Sequence, residues 1–418
     1  MAEACDVVII GAGLSGLVTA RVLLGAGLDV ALLDAADAPG GRIRTDRVDG
    51  MLLDRGFQLL NPKYPQATRT FNLRALRLRA FDPGAVVAHG NRRHVVADPV
   101  RMPREALGAI RLPLGSLREK LAFAWWAAQV GYGPADRIKR RDDSSLAEEL
   151  RRRGIDGALA DGVVRTFLAG VLGEDELGTS RRLAELLVRS FVRGMPTLPE
   201  NGMQAVPDQL AALLPESVLH PSTVAIGLDG TTVHTTAGVF NARAVVIATD
   251  ARAAAELLQA SAPHTRALTT FYHLAPESPA QHRMVHLDAD RRGPLVNSAV
   301  LTDIAPSYAP DRVLVSSTVL GADPSAEMEH AVRRHAGVLY GSDTSRWEHV
   351  ATYPIVDALP DTPPGTPIRQ SVSLGDGVYL AGDHRDTASI QGAIVSGRRV
   401  AAAVRRELVV TPFVSADR

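Results

Sequence analysis

The run Asp6-Val7-Val8-Ile9-Ile10-Gly11-Ala12-Gly13-Leu14-Ser15-Gly16, followed by Leu28-Asp29-Val30-Ala31-Leu32-Leu33-Asp34, decides the fold. Asp6 to Ile10 reads as a short buried strand, Leu14 to Leu24 carries small and apolar residues at helical spacing, and Leu28 to Leu33 is a second apolar run of strand length. The first 34 residues therefore form a β-α-β unit, which implies an α/β protein with a parallel sheet. Gly11, Gly13 and Gly16 sit between the first strand and the first helix. There glycine permits a tight turn, a close backbone approach to a pyrophosphate and close helix–strand packing, while the helix N-terminus offers free N–H groups to phosphate. Asp34 ends the second strand 18 residues beyond Gly16. That is near the ~20 expected for a carboxylate that binds ribose hydroxyls. An acid there disfavours a 2′-phosphate and argues for FAD or NAD over NADP.

At 418 residues the chain is long enough for two or three domains. Basic and acidic residues balance at 46 each, which argues against a nucleic-acid partner. Cys5 is the only cysteine, so internal disulfides and multi-thiolate metal sites are excluded and a reducing compartment such as the cytoplasm is expected. His282/His286 and His330/His335 lack completing ligands, and no metal is expected. The uncharged stretch Leu121–Ala135 falls short of the ~20 apolar residues of a bilayer span, and no basic segment precedes the first apolar run. Neither a transmembrane helix nor a secretory signal is therefore expected. No nucleophile elbow or P-loop supports hydrolase or NTPase chemistry.

Segment character alternates along the chain. Residues 71 to 199 carry helical periodicity in Leu117–Val130, Ser145–Arg153 and Arg181–Arg193, and read as a mainly helical insertion. Short runs between Phe271 and Val356, such as Arg312–Thr318, suit an antiparallel sheet. Thr231–Ala237, Ala244–Thr249 and Val378–Leu380 read as strands, Ala393–Leu408 as a helix and Thr411–Arg418 as a loose tail. The two domains expected are interleaved: residues 1–70, 199–257 and 357–418 form a dinucleotide-binding domain, and residues 71–198 and 258–356 a substrate domain of helices plus an antiparallel sheet. Trp125-Trp126 reads as substrate-domain core, the alternatives being an apolar tunnel wall or a membrane-facing patch.

Four further motifs follow in order: Gly40-Gly41-Arg42-Ile43-Arg44-Thr45, Leu53-Asp54-Arg55-Gly56-Phe57-Gln58, Leu198-Pro199-Glu200-Asn201-Gly202-Met203-Gln204, and Val378-Tyr379-Leu380-Ala381-Gly382-Asp383 with Gly392-Ala393-Ile394-Val395-Ser396-Gly397-Arg398. With the glycine turn they resemble the flavin-containing amine oxidase superfamily, which includes monoamine oxidases, protoporphyrinogen oxidase and phytoene desaturase-like enzymes. Asn201 departs from the family's Pro-x-Gly-Gly-Met element.

The resemblance implies an FAD-binding Rossmann-like domain and places Gly11, Gly13, Leu14, Ser15, Gly16, Asp34 and Ala35 at the nucleotide. It sets Gly41 and Arg42 at the pyrophosphate, Gly56, Phe57, Gln58 and Leu59 along the flavin ring, and Gly382 and Asp383 at the ribityl chain. Thr223 and Val224 resemble the adenine-contacting segment, and Ala248, Thr249, Ser389, Ile390 and Ala393 are assigned to the cofactor as well. Thr387 or Ser389 is expected to cap a helix aimed at the flavin, with Gly392 and Gly397 allowing close packing against the cofactor, the alternative being a tight helix–helix crossing.

Many amine-oxidising members use a substrate-domain lysine, yet of 46 basic residues only Lys63, Lys120 and Lys139 are lysine, and Ala267–Phe271 offers threonines instead. The family's covalent flavin–cysteine link is impossible near the C-terminus, so the expected FAD is non-covalent. The reaction implied is hydride transfer from a substrate C–H bond to flavin N5, of amine-oxidation or desaturation type, with reoxidation by oxygen or another acceptor. The substrate is expected to be a small apolar molecule or amine, with peripheral membrane contact compatible with this reading. Tyr353, Phe57 and Ala358–Pro360 are candidate pocket residues, and no catalytic base can be named. The alternatives are a redox-neutral isomerase using reduced FAD and a prenyl-protein carrier; retained Gly41-Arg42 and Gly382-Asp383 speak against the carrier.

Overall fold

The computed structural model describes residues 2–98, 100–105, 108 and 111–409; the tail expected at Thr411–Arg418 lies outside them. Strand Ala2–Ile10 pairs in parallel with Val30–Leu33 on one side and with Gly238–Ile247 on the other. Val7–Ile10, Val30–Leu33 and Ala244–Ile247 are buried throughout, because layers cover both faces of this sheet. Val7 and Ile9 face helices Leu14–Leu24 and Ile390–Leu408, while Val8 and Ile10 face the layer containing helix Ala251–Leu257. Leu219–His220 extends the sheet beyond Val30–Leu33, Val378–Leu380 pairs in parallel with Val245–Ile247, and the antiparallel strands Ala225–Asp229 and Thr232–Thr235 complete the other side.

The second sheet has seven strands in the order Glu348–Pro360, Thr265–Ala275, Val313–Leu320, Leu295–Val300, Val285–Asp288, Gly84–His89, Arg92–Ala97. It is antiparallel except where Val285–Asp288 runs alongside Gly84–His89. Two of these strands come from the stretch expected to be mainly helical. Ala85-Val86-Val87-Ala88 is buried, and so short an apolar run carries no period that separates strand from helix. The strand Glu348–Pro360 runs four residues, 357 to 360, into the segment expected to belong to the dinucleotide-binding domain.

The helical part comprises Leu117–Tyr132, Leu146–Arg152, Arg181–Arg193 and a π-helical turn Ala160–Arg165 that runs into Thr166–Leu172. Ser116 and Ser145 cap two of these helices, accepting from the Glu119 and Glu148 amides at 3.2 Å. The tryptophan pair splits, since adjacent residues on a helix point about 100° apart. Trp126 is buried at 1% exposure, its indole N–H on Glu185 at 3.3 Å, whereas Trp125 is 66% exposed and is not core.

Helices Leu14–Leu24 and Ile390–Leu408 cross closely. A Cβ on Gly397 would stand 2.4 Å from the Ser15 carbonyl oxygen, and Thr19 Oγ1 donates to the Gly397 carbonyl at 3.2 Å. A Cβ on Gly392 would meet the Thr387 carbonyl oxygen. Gly397 thus serves the helix crossing, the alternative reading of these glycines, and Gly392 serves a cap loop; neither lines the cavity.

Candidate active site

The glycine turn is held from both sides. Gly11 has φ +105°, and a Cβ there would lie 2.8 Å from the Ala248 carbonyl oxygen, so only glycine lets the two strand ends meet. Gly16 packs directly on the Gly11 carbonyl. The Asp34 carboxylate accepts from the Ala12 amide at 2.5 Å and the Ala36 amide at 2.8 Å, while its own carbonyl accepts from Thr223 N at 2.8 Å. One buried acid therefore fixes the turn, its own strand end and the Thr223–Val224 segment.

Gly40 N donates to the Ala12 carbonyl at 2.9 Å, which draws Gly41 and Arg42 beside the turn. Arg42 then spans the two sheets, donating to Asp383 Oδ1 at 2.5 Å and to the Ala358 carbonyl, in the second sheet, at 2.8 Å. Burial would lower the Arg42 pKa, but the Asp383 carboxylate more than reverses this and raises it. Gln58 Nε2 donates to the Arg42 carbonyl at 2.5 Å, tying the Gly56–Leu59 turn to the same corner. Ser389 caps the last helix through the Gly392 amide at 3.2 Å, and Thr387 Oγ1 lies 3.1 Å from Ser389 Oγ.

These pieces border one cavity of about 1720 Å³, well above the usual 300–1,000 Å³ of a ligand pocket. Gly11, Gly13, Leu14, Ser15, Asp34, Ala35, Gly41, Arg42, Gly56, Phe57, Gln58, Leu59, Thr223, Val224, Ala248, Thr249, Gly382, Asp383, Ser389, Ile390 and Ala393 all line it. Gly16 does not, because it faces the Gly11 backbone. Of the candidate pocket residues, Phe57, Ala358 and Leu359 line the cavity, whereas Tyr353 packs edge-on against Tyr272 at 5.9 Å outside it.

The cavity continues into an apolar chamber between the second sheet and the helices, bordered by Leu268, Leu287, Val163, Phe167 and Val188 among others. Lys120 also lines it, donating to the Leu112 carbonyl at 2.5 Å. Sequence reading missed Lys120, Thr318 and Asn297. The alternation of Val313–Leu320 carried a weak signal for Thr318; no motif marked the others.

Behind the Gly56–Leu59 turn lies buried Asp54. Its carboxylate accepts from Thr45 Oγ1, Met203 N and the Tyr308 hydroxyl at 2.5, 2.9 and 2.8 Å, and its carbonyl accepts from the Tyr272 hydroxyl at 2.8 Å. Burial pushes it up to about 6. This knot joins the hairpin to the Met203 segment and the second sheet, and so positions the turn.

The residues fit FAD. Backbone amides, a helix N-terminus and a carboxylate meet at one end, an arginine–aspartate pair lies in the middle, and Gln58 Oε1 is buried without a hydrogen-bond partner. Among the described residues no cluster of His, Cys, Asp or Glu could hold a metal, and no helix is long and apolar enough to cross a membrane.

Residues 14–405 match the family of flavin containing amine oxidoreductases, and the chain belongs to it. Its members are FAD-dependent oxidoreductases, and this chain is one. The 15-cis-phytoene desaturase of Narcissus pseudonarcissus is 25% identical over 96% of this chain and 79% of its own. The putrescine oxidase of Kocuria rosea is 28% identical over 52% of this chain and 48% of its own. The crystal structure of an oxidoreductase from Methanosarcina mazei superposes with TM-score 0.74 at 17% identity, covering 94% of this chain and 99% of that one.

Proposed function

We propose that this enzyme oxidises a small apolar or amine substrate by taking a hydride from a C–H bond while a proton leaves the neighbouring carbon or nitrogen for solvent, so that a C=C or C=N bond forms. When bound, FAD supplies the two-electron acceptor, which oxygen or another oxidant renews. The observation that carries this reading is the single continuous cavity, joining every expected cofactor residue except Gly16 to an apolar chamber.

Each part of the chain has a task in this reading. Gly11–Ser15, Asp34 and Thr223–Val224 hold the adenosine and pyrophosphate; Arg42 and Asp383 grip the middle; the Gly56–Leu59 turn and the Ser389-capped helix border the ring. FAD is held non-covalently, since Cys5, the only cysteine, is not among the lining residues. The chamber walls exclude water from the reacting C–H bond. The second sheet supplies no charged side chain to the wall, so nothing on the sheet itself selects an ion.

The entrance carries Val100, Leu117, Leu121 and Tyr132, all exposed and all lining the cavity. Exposed Trp125 continues this stripe on helix Leu117–Tyr132, and exposed Arg104, Arg111 and Arg118 lie near its start in the sequence. An apolar mouth with aromatic and basic surroundings supports peripheral contact with an anionic membrane. The lone cysteine supports a reducing, cytoplasmic setting for that contact.

The test is purification followed by an anaerobic screen of amines, porphyrinogens and polyenes, watching the flavin absorbance bleach. Bleaching by one class names the substrate. A colourless protein that does not take up FAD on dialysis overturns the proposal.

A further inference from the structure

The chamber wall formed by the second sheet is apolar with one interruption. Gly84, Ala85, Val96, Ala97, Leu268, Val285, Leu287, Ile355, Ala358 and Leu359 supply no polar side-chain atom, whereas Thr270, Thr318 and Asn297 do. These three are not scattered. Thr270 stands directly opposite Thr318 in one strand pair, and Thr318 opposite Asn297 in the next. Directly opposed residues share a face of the sheet, so the three form a row crossing three neighbouring strands.

The row begins at the Gly56–Leu59 turn, where Thr270 Oγ1 accepts from the Phe57 amide at 3.1 Å. It ends against helix Thr166–Leu172, where a Cβ on Gly170 would fall 2.2 Å from Asn297 Nδ2. Glycine at 170 is what leaves room for that amide.

Hydrogen bonding along the row is incomplete. Thr270 Oγ1 and Thr318 Oγ1 are 3.5 Å apart, at the limit of contact. Asn297 is only 8% exposed, and its Oδ1 is buried without a partner. Buried polar groups in folded proteins are nearly always paired, and an unpaired one is costly. Of the three only the Asn297 amide oxygen is without a partner, but a polar row on a wall that valine or leucine would fill equally well, ending in an unpaired amide, points to a ligand group that completes it.

We infer that the Thr270–Thr318–Asn297 row is a recognition subsite for an uncharged substrate group that both donates and accepts hydrogen bonds, namely a hydroxyl or a neutral amine. The inference rests on the reading of the chamber as the substrate site and narrows its substrate class. Hydroxyl and carboxamide side chains each offer a donor and an acceptor, and the sheet places no fixed charge beside them to select an ion. A plain hydrocarbon would fill the chamber but leave the Asn297 end of the row unpaired. A site built to hydrogen-bond a substrate group discriminates strongly against an analogue lacking it.

The experiment compares binding of n-octanol and n-octane to the purified holoenzyme by titration calorimetry. Wild type is expected to prefer n-octanol by about ten-fold, the size of one to two neutral hydrogen bonds. T318V keeps the side-chain shape and N297A removes the amide; each is expected to bring the two probes to near parity, with n-octane affinity little changed. T318S is expected to keep the preference. The inference is overturned if T318V and N297A retain the wild-type preference, or if wild type shows none, absence of binding by either probe included. Flavin content measured on the same sample reports separately on the cofactor reading, since calorimetric preference requires no electron transfer.

Discussion

At the Gly11–Ser15 end of the cavity the wall is largely backbone, set by turn geometry; at the chamber end it is side chains from strands and helices that carry no motif. Gly11 touches Ala248 through main-chain atoms, and Asp34 holds two main-chain amides. By contrast Phe167, Val188 and Leu287 reach the chamber from three distant segments and share only apolar character. The contrast teaches that a fixed ligand demands particular dihedrals and donors, whereas a substrate chamber demands volume and dryness, which many side chains supply.

The strongest way to break this comparison is to spoil the backbone end. Gly11→Val at φ +105° and within 2.8 Å of Ala248 is expected to abolish FAD retention, read as the flavin-to-protein ratio after purification. Stoichiometric flavin in that variant would show that the turn does not depend on backbone approach.

Acid sensitivity samples both ends, because each has a buried histidine. His286 belongs to strand Val285–Asp288 of the second sheet and does not line the cavity, and His384 follows Asp383; burial lowers each from 6.5 to about 4. Between these values the unfolded chain binds the proton and the folded chain does not. The stability they confer is therefore present above pH 6.5 and lost as pH falls toward 4. For His286 the loss is expected to reach about 3 kcal/mol. Chemical denaturation across this window should show it, with a shallower acid limb for His286→Gln. An unchanged limb would mean the ring is already protonated in the fold.

Asp34→Ala is expected to weaken FAD binding by roughly 10- to 100-fold through loss of its hydrogen bonds, measured by titrating the apoprotein. Unchanged affinity would show that Asp34 serves the turn and not the nucleotide. The smallest effect concerns the chamber mouth: Leu121→Ser with Trp125→Ser should cut sedimentation with anionic vesicles by roughly ten-fold. Stability should stay within about 0.5 kcal/mol, since both side chains are exposed. Undiminished sedimentation would remove the membrane from the proposal.

The same contrast explains what could be read in advance. The helix Leu14–Leu24 and the strand Val378–Leu380 appear with the boundaries expected, because caps, glycines and continuous apolar runs are local signals. The strands Gly84–His89 and Arg92–Ala97 were hidden inside a helical-looking segment, since they pair with each other as a short hairpin whose apolar run is too brief to show a period, and Gly84–His89 joins the second sheet only through Val285–Asp288, about two hundred residues away. Trp125 and Trp126 are identical in type, yet only helix packing decides which is buried. For Gly392 and Gly397 both a cofactor contact and a helix crossing stayed open, because a motif records that glycine is needed without recording what it touches.

The sequence by itself determined the β-α-β dinucleotide unit and the FAD family, and it named residues that prove to border one cavity, because these depend on dihedral freedom and donor chemistry written in consecutive positions. Only the tertiary structure decided that Arg42 bridges the sheets to Asp383 and Ala358, that Asp54 is a buried knot, and that Thr270, Thr318 and Asn297 form one row. Strand register and helix crossing create those neighbours, and both arise from packing between segments far apart in the chain.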